Sequence, residues 1–491
     1  MIALPPRPAG TTTTRWLYDA LRAAILDGRL RAGARLPATR ELAARYGVAR
    51  GTVVSAYEQL KAEGYVEAVV GSGTRVRDVL PDRLLESARP APRGGVTPMR
   101  AQSSAVRLSA FARRVRPMLS INTGPARAFR ANEPAIDLFP TTLWAQIAGR
   151  RLRRASRNLL SGCGPLGYAP LQAAVADYVA TSRGVRCVPE QVVIVSGTQA
   201  ALDLVARLCI DPGDRVAVEN PGYIGATRIF EAAGASIVPV PVDAEGMQLG
   251  DAALTGARLV YVTPAHQFPL GTSMSVARRL ALLEWARTSG ALIFEDDYDS
   301  EFRYRGRPLP ALQGLDRSEH VIFSGSFSKV LFPSLRIGYL VVPEVLMDAF
   351  TAALSITHRH APILDQAVLA DFIEAGHFGR HVRRMREVYA QRLFVLLDSA
   401  RTRLAGALEV SDIEAGLQTV GWLSDDLVRR GLTGSAVSDD AARNGVQVVP
   451  ISRYAHAPFG REGLQLGFAP VDEKEIRRGV EVLAQAIRTP G

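Results

Sequence analysis

The positive charge of this chain is confined to its first quarter, and that asymmetry favours a two-part design. Residues 1–116 carry 20 Lys and Arg against 9 Asp and Glu, whereas the rest balances at 39 of each, so the whole formal excess of +11 is N-terminal. A length of 491 residues exceeds what one hydrophobic core usually organises, which independently predicts a small domain joined to a large one. A basic domain on a neutral body points to a polyanion for the first part alone, nucleic acid rather than membrane. Cys163, Cys187 and Cys209 are odd in number and widely spaced, which suits neither a disulfide framework nor a zinc knuckle, so no metal site is expected. The start of the chain, with Pro5, Pro6 and Thr11 to Thr14, has no apolar signal-like region, and no apolar run is long enough to span a bilayer. The expectation is a soluble, cytoplasmic protein.

From Trp16 to Leu26 apolar residues recur at helical spacing (Leu17, Leu21, Ile25), and the run stops at Asp27-Gly28. After Pro37, Thr39 is placed to cap a helix over residues 40–46, Gly47-Val48 makes a turn, and Gly51-Thr52 opens a second helix that runs to Ala62 and ends at Gly64. Residues 65–70 and 74–76 then alternate like two short strands around Gly71-Ser72-Gly73, a hairpin wing. A helix-turn-helix sets the N-terminal end of its second helix in the major groove, where Arg50, Thr52 and Ser55 are the candidates to reach base edges. The stretch from Leu36-Pro37-Ala38-Thr39-Arg40-Glu41-Leu42-Ala43 through Thr52-Val53-Val54-Ser55-Ala56-Tyr57 to Glu63-Gly64 closely resembles the winged helix-turn-helix of GntR-type bacterial regulators, over residues 12–78. The resemblance implies a double-stranded DNA operator as partner. It sets Arg40, Arg50 and Thr52 at the DNA, and the wing, with Ser72, Thr74 and Arg75, near the minor groove and phosphates.

Residues 79–116 are basic and rich in Pro, Arg and Ala, including Pro81, Pro90, Pro92 and Pro98, and read as a linker. Beyond it, over residues 117–491, short apolar runs at Val192–Val195, 215–218, 259–262, 292–294 and 321–323 alternate with longer helical patterns. That rhythm predicts an α/β fold with a mainly parallel sheet. A long helix near 382–397 followed by mixed elements predicts a smaller C-terminal subdomain.

Only three lysines occur, Lys61, Lys329 and Lys474. Lys61 falls late on the second helix of the basic domain and Lys474 in a charged run, but Lys329 follows Phe323-Ser324-Gly325-Ser326-Phe327-Ser328, directly after a buried strand. There an amine is partly desolvated and its pKa lowered toward a nucleophilic form. A lysine that forms a Schiff base with pyridoxal phosphate (PLP) needs donors for the phosphate, a carboxylate on the pyridine nitrogen and an aromatic face for the ring. Ser196-Gly197-Thr198 follows a strand and opens a helix over 199–208, the arrangement by which backbone N–H groups hold phosphate. Glu295-Asp296-Asp297-Tyr298 follows strand 292–294 at the carboxyl edge of the sheet, where α/β ligands bind.

Assembled, these residues resemble the fold-type I PLP enzymes of the aspartate aminotransferase superfamily, and with the wing the whole chain resembles the MocR subgroup of GntR-type regulators. The resemblance implies Lys329 as the Schiff-base lysine, Asp296 at the pyridine nitrogen and Tyr298 at the phenolic oxygen. It gives Ser196, Gly197, Thr198, Ser326, Ser328 and Arg336 to the phosphate, Tyr223 to the ring face, and a homodimer to the assembly.

Two departures bear on function. The enzymes' Asn-Pro-x-Gly reads His266-Gln267-Phe268-Pro269-Leu270-Gly271; His266 or Gln267 is available for a polar contact to the ring oxygen, and His266 reads equally as a core histidine. The C-terminal Arg-Leu-x-Phe, whose arginine clamps the substrate carboxylate, reads Gln465-Leu466-Gly467-Phe468. Glutamine offers no charge-assisted fork, so amino-acid binding is expected to be poor; Arg453 is a nearby substitute or a solvated loop residue. The expectation is therefore a transcription regulator that senses PLP, alone or as a PLP–amine adduct, with PLP alone favoured. A role in control of vitamin B6 synthesis suits it. The alternative is a working aminotransferase with an accessory DNA-binding domain.

Overall fold

The computed structural model describes residues 4–8, 10–69, 73–77, 107–117, 124–250, 254–306 and 309–488. Gly71 and Ser72 of the expected wing, and residues 79–106 of the expected linker, lie outside the described residues. The chain separates into two compact units, Met1–Val106 and Arg107–Gly491.

In the first unit, helices α1 (Thr13–Leu26), α2 (Thr39–Tyr46) and α3 (Arg50–Ala62) bury one apolar stripe each. Leu17, Leu21 and Ile25 of α1 meet Leu42 of α2 and Val53 and Leu60 of α3 in a single cluster. Gly47, at φ 63°, closes α2 in the left-handed conformation that favours glycine. Thr39 does not cap α2: Ala38 holds the cap position, no side chain accepts there, and Thr39 is the first helical residue. Strands β1 (Val66–Val69) and β2 (Gly73–Val76) pair antiparallel, Val66 opposite Val76. The chain before α2 joins β2 as a further edge, through Leu36 N–H to the Thr74 carbonyl at 2.8 Å and Val76 N–H to the Ala34 carbonyl at 2.9 Å.

The second unit carries an eight-stranded sheet of β3 (Val192–Val195), β4 (Arg215–Asn220), β5 (Ser236–Asp243), β6 (Gly246–Met247), β7 (Ala257–Val262), β8 (Leu292–Asp297), β9 (Val321–Ser326) and β10 (Gly338–Val341), in the order β3-β10-β9-β8-β7-β4-β5-β6. Strands β4, β5, β7, β8 and β9 run parallel, as expected for β4, β7, β8 and β9 of near-continuous apolar runs covered on both faces, whereas β5 is mostly half-buried. β10 is antiparallel to both neighbours, because the short connection from β9 leaves no room for a crossover helix. A smaller antiparallel sheet of β11 (Leu408–Val410), β12 (Gln418–Leu423), β13 (Val449–Pro450) and β14 (Gly463–Gly467), in the order β11-β12-β14-β13, forms the C-terminal subdomain. Leu393 and Leu396 of the helix His377–Arg403 share a core with Leu483 and Ile487 of the helix Glu473–Arg488 and with Leu464 and Leu466 of β14.

The linker does not extend to residue 116. Ala110–Arg114 forms a short helix capped by Ser109, whose hydroxyl accepts from Ala112 N–H at 3.1 Å. Arg114 donates to the carbonyls of Ala232 at 3.0 Å and Ala233 at 3.2 Å. Those carbonyls end the helix Ile224–Ala233, where a cation meets the negative end of the helix dipole.

Candidate functional site

Asp296 lies inside β8 rather than after it, because the strand continues three residues past its apolar run. Tyr261, on neighbouring β7, donates its hydroxyl to Asp296 Oδ2 at 2.7 Å. Asp296 Oδ1 is buried with no partner among the described residues, and burial, the largest influence, pushes this carboxyl up to about 7. A second buried carboxyl stands at the end of β4: Glu219 accepts from Thr263 N–H at 3.2 Å, from the Thr263 hydroxyl at 2.6 Å and from Gln267 at 3.3 Å. Burial raises it to about 7 as well. Sequence reading missed Glu219, although an acid ending an apolar strand just before Asn220-Pro221-Gly222 was a signal.

Lys329 follows the end of β9 by three residues, and its Nζ donates to the Asn132 carbonyl at 2.7 Å. Burial lowers its pKa, opposed by the nearby carboxylates of Asp299 and Asp296. Ser326 and Ser328 are buried, and Ser328 Oγ has no partner among the described residues. Arg336 adopts the left-handed conformation at φ 51° and donates through Nη2 to the Ser196 carbonyl at 3.1 Å. Gly197, at φ 89°, caps the helix Thr198–Cys209, and a Cβ there would stand 3.2 Å from the Arg336 guanidinium. Ser196, Gly197, Thr198 and Arg336 are thus brought together at one helix N-terminus, the geometry that holds an anion.

Tyr223 caps the helix Ile224–Ala233, accepts at its hydroxyl from Gln199 Nε2 at 2.8 Å, and meets Phe268 edge-on at 5.7 Å. The Tyr298 hydroxyl stands 3.0 Å from His266 Nδ1, which lies 3.0 Å from each carboxylate oxygen of Asp299. With Asp299 as an acceptor, Nδ1 carries the proton, and the Tyr298 O–H remains free to donate elsewhere. His266 is therefore a core histidine held behind Tyr298 through Nδ1, while its buried Nε2 has no partner among the described residues. Gln267 does not replace the missing asparagine: its Nε2 donates to the carbonyls of Pro221 at 2.9 Å and Phe268 at 2.7 Å and to Glu219 at 3.3 Å, and its Oε1 accepts from Leu270 N–H at 3.0 Å, so its amide is already engaged. Gln465, on β14, is fully buried, and its Oε1 accepts from the Tyr454 hydroxyl at 2.7 Å. Arg453 is exposed, the solvated-loop alternative.

In the first unit Arg40, Arg50 and Ser55 are exposed and Thr52 and Thr74 half-buried. Arg75 is half-buried, and its Nη1 donates to the Gly33 carbonyl at 2.9 Å, which binds the wing to the chain before α2. Among the described residues no three side chains cluster to hold a metal ion, and no helix is long and apolar enough to cross a membrane.

Known proteins match both units. The family of bacterial regulatory proteins of the gntR type matches residues 13–76, and the class I and II aminotransferase family matches residues 129–483. The chain is 43% identical to the probable rhizopine catabolism regulatory protein MocR of Rhizobium meliloti, over 98% of this chain and 94% of that protein. It is 30% identical to the pyridoxine biosynthesis transcriptional regulator PdxR of Corynebacterium glutamicum, over 99% and 98%. The crystal structure of the α-aminoadipate aminotransferase LysN of Thermus thermophilus, complexed with N-(5'-phosphopyridoxyl)-L-leucine, matches with a TM-score of 0.67 and 29% identity, over 78% of this chain and 95% of that one. The chain therefore belongs to the MocR group of GntR-type regulators, PLP-binding transcription regulators that join a DNA-binding winged helix-turn-helix to an aminotransferase-like domain.

Proposed function

We propose that the aminotransferase-like unit is an effector pocket in which PLP, alone or joined to a small amine, is the signal that changes the grip of a homodimer on its DNA operator. The observation that carries this reading is the pairing of a buried acceptor without a donor, Asp296 Oδ1, with a desolvated amine, Lys329. PLP supplies an aldehyde that condenses with an amine and a ring nitrogen that pairs with an acid. Lys329 is the amine and Asp296 the acid. Ser196, Gly197 and Thr198 present the helix N-terminus to the phosphate, with Ser326, Ser328 and Arg336 adding hydroxyls and a cation. Tyr223 covers one ring face, and the free Tyr298 O–H donates to the phenolic oxygen. DNA reading falls to residues 12–78, through Arg40, Arg50, Thr52, Ser55 and the wing residues Ser72, Thr74 and Arg75. The effector domain spans 117–491, with the docked helix Ala110–Arg114 added to it.

Sensing is favoured over turnover by Gln465, which stands where the enzymes clamp the substrate carboxylate. The similarity to PdxR, a regulator of pyridoxine biosynthesis, suits PLP itself as the effector. An absorbance scan with added PLP, repeated after borohydride reduction and followed by peptide mapping, tests the reading. A band near the visible edge and a reduced adduct on Lys329 are expected; no band and no adduct would overturn it. DNA binding measured with and without PLP tests the regulatory half, and identical affinities would sink it.

A further inference from the structure

The stretch 107–117 is held to the second unit at one point. Every residue in it is exposed except Arg114, and the helix Ala110–Arg114 buries no residue at all. Leu108, Phe111 and Val115, the apolar side chains available to pack it down, are 57%, 41% and 48% exposed. Among the described residues, both hydrogen bonds that join this stretch to the rest of the unit come from a single guanidinium. Arg114 Nε donates to the Ala232 carbonyl at 3.0 Å and Nη2 to the Ala233 carbonyl at 3.2 Å.

The seat is shaped for that side chain. The helix Ile224–Ala233 ends there, so its last carbonyls present the negative end of the helix dipole. Gly234, at φ 103°, leaves room beside them: a Cβ on it would stand 3.1 Å from Arg114 Nη2 and 3.2 Å from Cζ. The planar fork of a guanidinium reaches two adjacent carbonyls at once, a geometry that an ammonium does not reproduce. A segment tied by one polar grip, with no residue buried, opens locally at small cost.

We infer that Arg114 is a latch, closed on the end of the helix Ile224–Ala233, that fixes where the tether of the DNA-binding unit begins and so restricts the spacing of the paired half-sites that the protein accepts. This rests on the homodimer proposed above. Opening the latch frees the eleven residues 107–117, which add up to about 40 Å of extended chain. One helical turn of DNA is about 34–36 Å, so the freed length suffices to carry a head to a half-site one turn further along.

Full-length wild type, Arg114→Ala and Gly234→Ala are compared in two measurements; the Cβ of the last displaces the guanidinium without removing its charge. Trypsin reads the latch itself. Cleavage after Arg113 and Arg116 should be about tenfold faster in both variants, because it follows the population of the open segment. DNA binding reads the consequence, on half-sites selected by the wild type and paired at spacings raised one base pair at a time over two helical turns. Wild-type affinity should peak at one spacing, and both variants should lose about threefold or more at that peak while gaining, relative to it, one turn further out. Affinity for a single half-site should be the same in all three, which shows that the heads are intact. Should Gly234→Ala lower the melting temperature of the second unit, Arg114→Lys, which keeps the charge and loses the double grip, takes its place. Equal cleavage rates would overturn the latch, and faster cleavage with an unaltered spacing profile would overturn its effect on DNA. A wild type that binds paired and single half-sites alike would instead remove the homodimer reading and the inference about spacing with it.

Discussion

Tyr261 and Asp296 stand on adjacent strands, the phenol donating to one carboxylate oxygen at 2.7 Å while the other stays buried with no donor among the described residues. Burial raises Asp296 to about 7, so the folded chain holds a proton that the unfolded chain has already lost. Its stabilising contribution is full below the unfolded carboxyl range and disappears as pH rises through about 7. Cofactor-free Asp296→Asn should therefore be more stable than the parent at pH 8, by on the order of 1–3 kcal/mol, with the gap narrowing toward pH 5. Melting curves at the two pH values check this. The same substitution should weaken PLP binding by about tenfold or more, since a neutral amide cannot form the ion pair.

Lys329→Ala should abolish the absorbance band near the visible edge and the borohydride-stable adduct, while the far-ultraviolet dichroism of the fold persists. The lysine makes one backbone hydrogen bond, to Asn132, so its loss should cost stability by only about 1 kcal/mol. A band that survives in the variant would assign the chemistry to another amine.

Gly197→Ala places a Cβ on a residue at φ 89° and 3.2 Å from the Arg336 guanidinium. Strain of roughly 1–2 kcal/mol and displacement of Arg336 should follow. The affinity for PLP should fall more than that for pyridoxal, which has no phosphate. Equal losses for the two ligands would mean that this helix end does not bind the anion.

Exposed Arg40 and Arg50 should each act on DNA, whereas Arg75, which donates to the Gly33 carbonyl, should act partly on folding. On duplexes selected by the wild-type protein, Arg40→Ala or Arg50→Ala should either lower the slope of log affinity against log salt by about 1, the mark of a phosphate contact, or relax specificity at one base pair at a cost of about 1–3 kcal/mol. Arg75→Ala should also lower the melting temperature of the N-terminal unit. A variant of Arg40 or Arg50 that changes neither slope nor specificity would remove that residue from the interface.

What the sequence disclosed followed from local signals. Gly47 marked the turn because only a left-handed residue closes α2 there, and apolar runs marked the parallel strands β4, β7, β8 and β9 and the antiparallel edge strand β3 because their residues are almost all buried. β5 escaped notice because Pro239 and Pro241 read as strand breakers, although β5 stands near the edge of the sheet, where a missing N–H is tolerated. The helix Ala110–Arg114 was hidden inside an arginine-rich segment, since its docking depends on carbonyls more than a hundred residues away. The tasks of His266 and Gln267 were equally unreadable in one dimension. Nothing local to either shows that Asp299 will fix one proton or that Pro221 will absorb the other amide.

The rarity of lysine acquires a meaning once Lys329 is seen in its place. An aldehyde in solution condenses with any free amine it meets, and guanidinium groups do not compete. Of the 59 basic residues only three are lysines, and Lys61 and Lys474 lie exposed to solvent. On the proposed role of Lys329, a receptor for an aldehyde whose basic residues are nearly all arginine keeps the charge that DNA requires while offering few lysine decoys to its own ligand, so the occupancy of a single amine would report the ligand's concentration with little background.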